Sequence, residues 1–278
     1  MTAQGLIPRL TWFSLLILVC YFPVIQNIVH QWSSNDDMSH GFFVPLIAGY
    51  VVWERRGDLA GVEVRTSRWG LAVLILGAAL ACLGALAAEI FTERVALMVT
   101  LTGLIWHQGG GALARRLAFP LLLLCFMLPL PGLLYKQITF PLQILASRIA
   151  ELGLEWAGYM VLREGNIIEM AGWQLSVIEA CSGVRALLSL TFFSLAYSYL
   201  FHPKVWMRWA LFLAAFPVAV LANASRIVLT GILGEYDPKL AEGFFHGMSG
   251  WAVFVVAIVM LVLTERALRL LDRGGAKA

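Results

Sequence analysis

A thiol, a guanidinium and an imidazole stand where apolar runs give way to polar sequence in this 278-residue chain: Cys181, Arg226 and His246. Together they are the residue types from which a cysteine acyl-transfer site could be built. Cys181 lies in Glu179-Ala-Cys-Ser-Gly-Val-Arg185, at the start of an apolar run. The unpaired N–H groups and dipole of a helix N-terminus favour an anion, and a nearby Arg or His⁺ adds to that. A thiol of ordinary pKa about 8.5 can there supply thiolate at neutral pH. The competing reading is a packing or capping Cys beside a Gly. Cys20, Cys82 and Cys125 fall deep in apolar runs, where a Cys serves as a small buried hydrophobe.

Arg226 closes Ala222-Asn-Ala-Ser-Arg226 near the end of a long apolar segment. A charge at that depth is costly unless it is paired or used, although an Arg can also snorkel to the headgroups. Asn223, three residues earlier, shares its helical face and can hold the guanidinium. A fixed guanidinium beside a thiolate can stabilise the oxyanion of a tetrahedral intermediate. Arg185, four residues after Cys181, competes for that role. His246 opens the last apolar run in Phe244-Phe-His-Gly-Met-Ser-Gly-Trp251 and can take the thiol proton and return one to a leaving amine. His40, in Asp36-Asp-Met-Ser-His-Gly41, shares the same outer face, and either histidine can instead be a plain interfacial residue.

The elements that must position these groups are membrane helices, because 60% of the residues are hydrophobic, 13% are charged and the mean hydropathy is +0.80. The chain reads as an all-α polytopic membrane protein, one membrane-embedded domain over 1–278 with about eight spans: 10–29, 39–53, 69–88, 91–107, 112–130, 182–200, 209–229 and 247–264. The first has no small-residue cleavage signature and reads as a retained anchor. With the N-terminus inside, the inner segments hold Arg9, Arg55, Arg56, Arg65, Arg68, Arg115, Arg116, Lys204, Arg208, Arg266, Arg269, Arg273 and Lys277. That bias toward one face makes both termini cytoplasmic. The net charge of +3 follows from this orientation and does not point to nucleic acid.

Between spans five and six, Lys136, Gln143, Ser147, Arg148, Glu151 and Glu155 fall near one helical face, with Ile144, Leu145, Ile149 and Leu152 on another. The pattern predicts an extracytoplasmic amphipathic helix lying at the interface. Asn166-Ile-Ile-Glu-Met, Ala171-Gly172 and Trp173-Gln-Leu-Ser-Val-Ile then predict a small β-hairpin delivering the chain to Cys181.

Glu179-Ala-Cys-Ser-Gly-Val-Arg185, Asn223-Ala-Ser-Arg226 and Gly243-Phe-Phe-His-Gly247, in that order, resemble the exosortase/archaeosortase family of polytopic cysteine transpeptidases. Asp36-Asp-Met-Ser-His-Gly41 resembles its early motif, so the likeness runs from about residue 30 to 265. The resemblance implies Cys181, Arg226 and His246 as the catalytic set, with Asn223, Arg185, Glu179, Ser182 and His40 supporting it or meeting substrate. It implies no metal and no cofactor. It further implies a cytoplasmic (inner) membrane enzyme whose site faces the periplasm or exterior. Its partners would be secreted proteins with a C-terminal sorting signal: a short motif such as Pro-Glu-Pro, a transmembrane helix and a basic tail. The acyl group would pass to a membrane lipid or surface polysaccharide acceptor, or to water in a purely hydrolytic enzyme. No accessory domain is expected after Leu271.

Two other classes compete. Gly247-Met-Ser-Gly250 fits the Gly-x-Ser-Gly pattern of rhomboid-like serine proteases, but no His follows Ser249. A transporter is the stronger rival, yet it calls for broken helices meeting near the midplane, and the polar residues here gather at one surface. A metal site from Cys181, His246 and His40 lacks ligand spacing.

Overall fold

The computed structural model describes residues 3–171, 173–177, 183–202, 204–237 and 244–275, with the side chains of 3–10, 183, 184, 244–251, 271 and 273–275 outside the description. Within these residues the fold is helical, with one small sheet. The chain divides into two compact units, Met1–Pro131 and Gly132–Ala278.

The first unit opens with α1 (Ala3–Cys20) and α2 (Phe22–Ser34), followed by a 3₁₀ turn (Asp36–Phe42), α3 (Phe43–Glu54) and the short α4 (Arg56–Ala60). The single span expected at 10–29 is instead two helices bent by 74° at Tyr21. The cause is local: Pro23 sits in the first turn of α2, where it cannot donate to the preceding turn and its ring bars a straight continuation.

The hairpin of α5 (Arg68–Ala87) and α6 (Ile90–Cys125) dominates this unit. Its contact face is glycine at every seventh residue: Gly70 lies on the backbone of His107, Gly77 on Thr100 and Gly84 on Glu93, while Gly103 answers from α6 against Leu74. Small residues let helix backbones approach closely, which is how apolar helices bind one another where lipid is as apolar as leucine. The turn is tight. Ala88 closes α5 in the left-handed region (φ 51°), and Glu89 caps α6 by accepting from Phe91 N and Thr92 N at 3.1 and 2.6 Å. Hydrogen bonding from the Thr92 side chain, then from the Thr92 and Phe91 N–H groups, holds the Glu89 carboxyl below its ordinary pKa against the opposing effect of burial. Helix α6 breaks at Gly110 (φ 81°, ψ 174°), between the spans expected at 91–107 and 112–130. There a side chain would meet the Arg65 carbonyl, and Ser67 N donates to His107 O at 3.0 Å.

The second unit comprises α7 (Gly132–Trp156), strands β1 (Val161–Glu164), β2 (Ile167–Met170) and β3 (Gln174–Ser176), then α8 (Gly183–Phe201), α9 (Val205–Tyr236) and α10 (Phe244–Gly275). The expected hairpin is present and carries an extra strand: the sheet is antiparallel in the order β1-β2-β3, with Glu164 opposite Ile167 and Ile167 opposite Ser176. Gly165 (φ 66°) leads the two-residue β1–β2 loop, the position a type II′ turn reserves for glycine.

The helix expected here is present as α7. In α7 the buried residues are Gln143, Ala146, Ser147, Ala150 and Leu154, while Leu145 and Leu152 are exposed. Of the helix's expected polar face, Gln143 and Ser147 are buried while Lys136, Arg148 and Glu155 are exposed. Its small and polar face packs along α9, where Gly153 meets Val228 and Leu154 meets Gly231. Helix α7 docks through small residues and leaves Leu145 and Leu152 outward, the arrangement a lipid surrounding rewards. Ile168, Leu175 and Val177 seal the sheet onto Ala146, Ala150, Leu154 and Ile227, and Arg163 Nε binds Glu151 Oε2 at 2.6 Å.

Two helices, α5 and α9, are each long and apolar enough to cross a membrane, and the bent pair α1–α2 makes a third candidate span among the described residues. At about 1.5 Å per residue, the 32 residues of α9 extend roughly 48 Å, well beyond a hydrocarbon core of about 30 Å.

Candidate active site

Asn223 and Arg226 are both buried, at 5% and 7% exposure, on the face of α9 that also buries Ala219, Ala222, Ile227 and Thr230. Arg226 is thus buried within the protein, on the same face of α9 as Asn223. The core beneath them is built of small side chains, Ala215, Ala219 and Ala222, against Leu187, Leu190, Ala257 and Leu261.

A small cavity lined by Leu142, Leu187, Ala219, Val220 and Asn223 places the start of α8 at the level of the Asn223 turn. Arg185, half-buried in the first turn of α8, precedes Leu187 by two residues. Both candidate guanidinium groups therefore belong to one end of the α8–α9 pair.

Cys181, Glu179 and Ser182 lie outside the described residues. So does the side chain of His246, although its backbone is helical at the third residue of α10. His40 belongs to the first unit, buried at 7% exposure, with Nε2 3.2 Å from the Phe126 carbonyl, to which it donates. The three other cysteines, expected as buried hydrophobes, are exposed on the units that carry them, so each presents its thiol outward among apolar side chains.

Two features escaped the sequence reading. Gln143 and Ser147, on the polar face of the expected amphipathic helix, are buried at 8% and 0% exposure, Ser147 Oγ donating to Gln143 O at 2.7 Å. Arg94 is buried at 7% exposure, and the signal that marks it is a basic residue at the head of an apolar run, directly after Glu93.

A family model described as transmembrane exosortase matches residues 32–263. The chain belongs to the exosortase family. Searches among curated proteins and solved structures return no match. Exosortase membership gives the coarse function, a membrane transpeptidase that takes part in protein sorting, and agrees with the apolar helices. The matched span takes in Asn223, Arg226, His246 and the whole Glu179–Arg185 segment. It begins at Trp32, ahead of the Ser39-His40-Gly41 motif.

Proposed function

We propose that this exosortase is a cysteine transpeptidase of the inner membrane that cleaves the C-terminal sorting signal of secreted proteins on the outer face. The observation that carries the reading is the burial of Arg226 with Asn223 on one face of α9, beside the start of the helix that follows Cys181.

Helix α8 begins at Gly183, two residues after Cys181, so the thiol precedes the N-terminus of a 19-residue helix. That end favours thiolate. The Cys181 sulfur attacks the carbonyl of a peptide bond just outside the substrate's transmembrane helix. Arg226, held by its helix and by Asn223, receives the charge that develops on the carbonyl oxygen. His246 gives a proton to the leaving amine as the C–N bond breaks, leaving a thioester on Cys181 and freeing the substrate's helix and basic tail. An acceptor hydroxyl or amine on a lipid or surface polysaccharide then loses its proton to His246, attacks the thioester and restores the thiol. Arg185, four residues after Cys181, is the second candidate for the oxyanion role, and Glu179 and Ser182 flank the nucleophile in sequence. The N-terminus and C-terminus face the cytoplasm.

The test compares the C-termini of secreted proteins in cells carrying the wild type and Cys181→Ala. A set of proteins that keep their C-terminal helix and basic tail only in the variant is the expected result. Unchanged C-termini with equal amounts of both versions in the membrane would sink the reading and favour transport.

A further inference from the structure

The chemistry proposed for Cys181 leaves unused a polar cluster of the first unit that joins three elements. Helix α6 stops at Cys125, and Phe126 N, Met127 N and Leu128 N close its last turn onto Leu123, Leu124 and Cys125 carbonyls at 3.0, 3.2 and 3.2 Å. Beyond that the helix leaves carbonyls over, and Pro129 and Pro131 bring no N–H to meet them.

Three side chains from three elements take these carbonyls. Trp32 Nε1 on α2 donates to Met127 O at 2.9 Å, His40 Nε2 on the 3₁₀ turn donates to Phe126 O at 3.2 Å, and Arg94 Nη1 on α6 donates to Pro129 O at 3.0 Å. Arg94 Nη2 also donates to Asn27 Oδ1 on α2 at 2.7 Å. The motif around His40 is shaped to this end. Gly41 has no side chain because the Trp32 ring lies against its backbone, and Asn35 Oδ1 accepts from Asp37 N at 3.0 Å to start the 3₁₀ turn.

Arg94 argues that the cluster is more than packing. It is buried, its hydrogen-bond partners are a carbonyl and an amide, and among the described residues no carboxylate comes within ion-pair distance of it. A buried cation whose hydrogen bonds go only to neutral groups, with Glu89 acting on it from beyond ion-pair distance, is expensive to desolvate. What the arginine adds is direction, two donors in a rigid fork that fix a carbonyl on one side and α2 on the other.

We propose that Trp32, His40 and Arg94 form a three-point clamp on the 126–131 turn that ends α6, and that they act as positioning residues on which transpeptidation depends. The proposal rests on the cysteine transpeptidase reading. It gives the Ser39-His40-Gly41 motif a task away from proton transfer.

The experiment uses the full chain in native membranes and a secreted reporter ending in Pro-Glu-Pro, a transmembrane helix and a basic tail. Processing is followed for the wild type, Cys181→Ala, His40→Ala, His40→Gln and Trp32→Phe. A lost hydrogen bond with its partner left buried predicts a rate at saturating reporter about 10-fold lower in His40→Ala and Trp32→Phe, with half-saturation unchanged. His40→Gln, whose amide nitrogen can donate from a similar reach, should stay within about 3-fold of the wild type with the same pH profile. A full rate in His40→Ala or Trp32→Phe would overturn the clamp. So would a His40→Gln as slow as His40→Ala with one limb of its pH profile lost, since His40 would then be a proton carrier. Should His40→Ala fail to reach the membrane, Trp32→Phe and His40→Gln carry the test. Normal processing by Cys181→Ala would refute the transpeptidase reading itself, whereas an inactive Cys181→Ala beside a fully active Trp32→Phe refutes only the clamp.

Discussion

Arg226 shows what one residue contributes here. Its charge is sequestered on a helix face with Asn223, so its value lies in planar, fixed donors. Arg226→Lys keeps the charge and loses the fork. If Arg226 faces the oxyanion, processing should fall by about 10²–10³-fold, the loss typical of one oxyanion donor, with membrane levels unchanged. Arg226→Lys at the wild-type rate would hand the role to Arg185. At the other end of the same unit His202 is buried at 4% exposure, 3.3 Å from Glu265 Oε1 without the alignment of a hydrogen bond, and Arg269 Nε contacts that carboxylate oxygen. Burial, then the Arg269 charge, pushes the His202 pKa below its ordinary value against the opposing pull of Glu265. Between the lowered folded pKa and the unfolded value of about 6.5, the unfolded chain binds the extra proton, so stability is complete above that value and declines as pH falls beneath it. Thermal melts of purified protein from about pH 7.5 to 5.5 should show this decline, and His202→Gln should flatten it.

Among the elements, the α5–α6 hairpin makes the plainest prediction. A Cβ on Gly77 would stand 2.7 Å from Thr100 N and 2.9 Å from Thr100 Cα, both backbone atoms that cannot swing aside. Gly77→Leu should therefore destabilise the first unit by about 3 kcal/mol, the upper range for overpacking. Unfolding in mixed detergent would measure the loss. A variant as stable as the wild type would mean that the glycine row is not the contact. Helix α7 teaches the same lesson from polar residues. Its Gln143 and Ser147 mark the inside because, against lipid, small and polar faces pair with protein while leucine faces outward. Ala150, fully buried against the sheet and α9, should tolerate leucine no better than Gly77 does. Leu152→Ala, by contrast, should be nearly neutral in the same assay because Leu152 is exposed.

For the whole molecule the open quantity is orientation. Both clusters of ion pairs that tie the second unit together at its basic end, Lys204 with Asp272 at 2.6 Å and Arg269 with Glu265, belong to segments that the charge bias puts inside. The sheet and Arg226 belong to the opposite end of α9. A phosphatase reporter that folds only outside the cytoplasm should be active when fused after Glu164 and inactive after Arg116, Lys204 or Asp272. The reverse pattern would turn the site inward and remove it from secreted substrates.

The sequence by itself determined that this is a helical membrane protein of the exosortase family. Composition and ordered motifs carry that information without any contact being known, and so does the helical spacing that puts Asn223 and Arg226 on one face. Where Pro23 bends the first span and Gly110 breaks the fourth from the fifth, the local signals were in the chain as well, although only Gly110 fell at an expected boundary. Tertiary structure decided which face of α7 is inside, that the exposed cysteines are not core, and that Trp32, His40 and Arg94 converge on one turn. Periodicity reveals that a helix has two faces but not which solvent each will meet. In lipid the apolar face is turned outward, so the inward one is known only once its partner helix is in place.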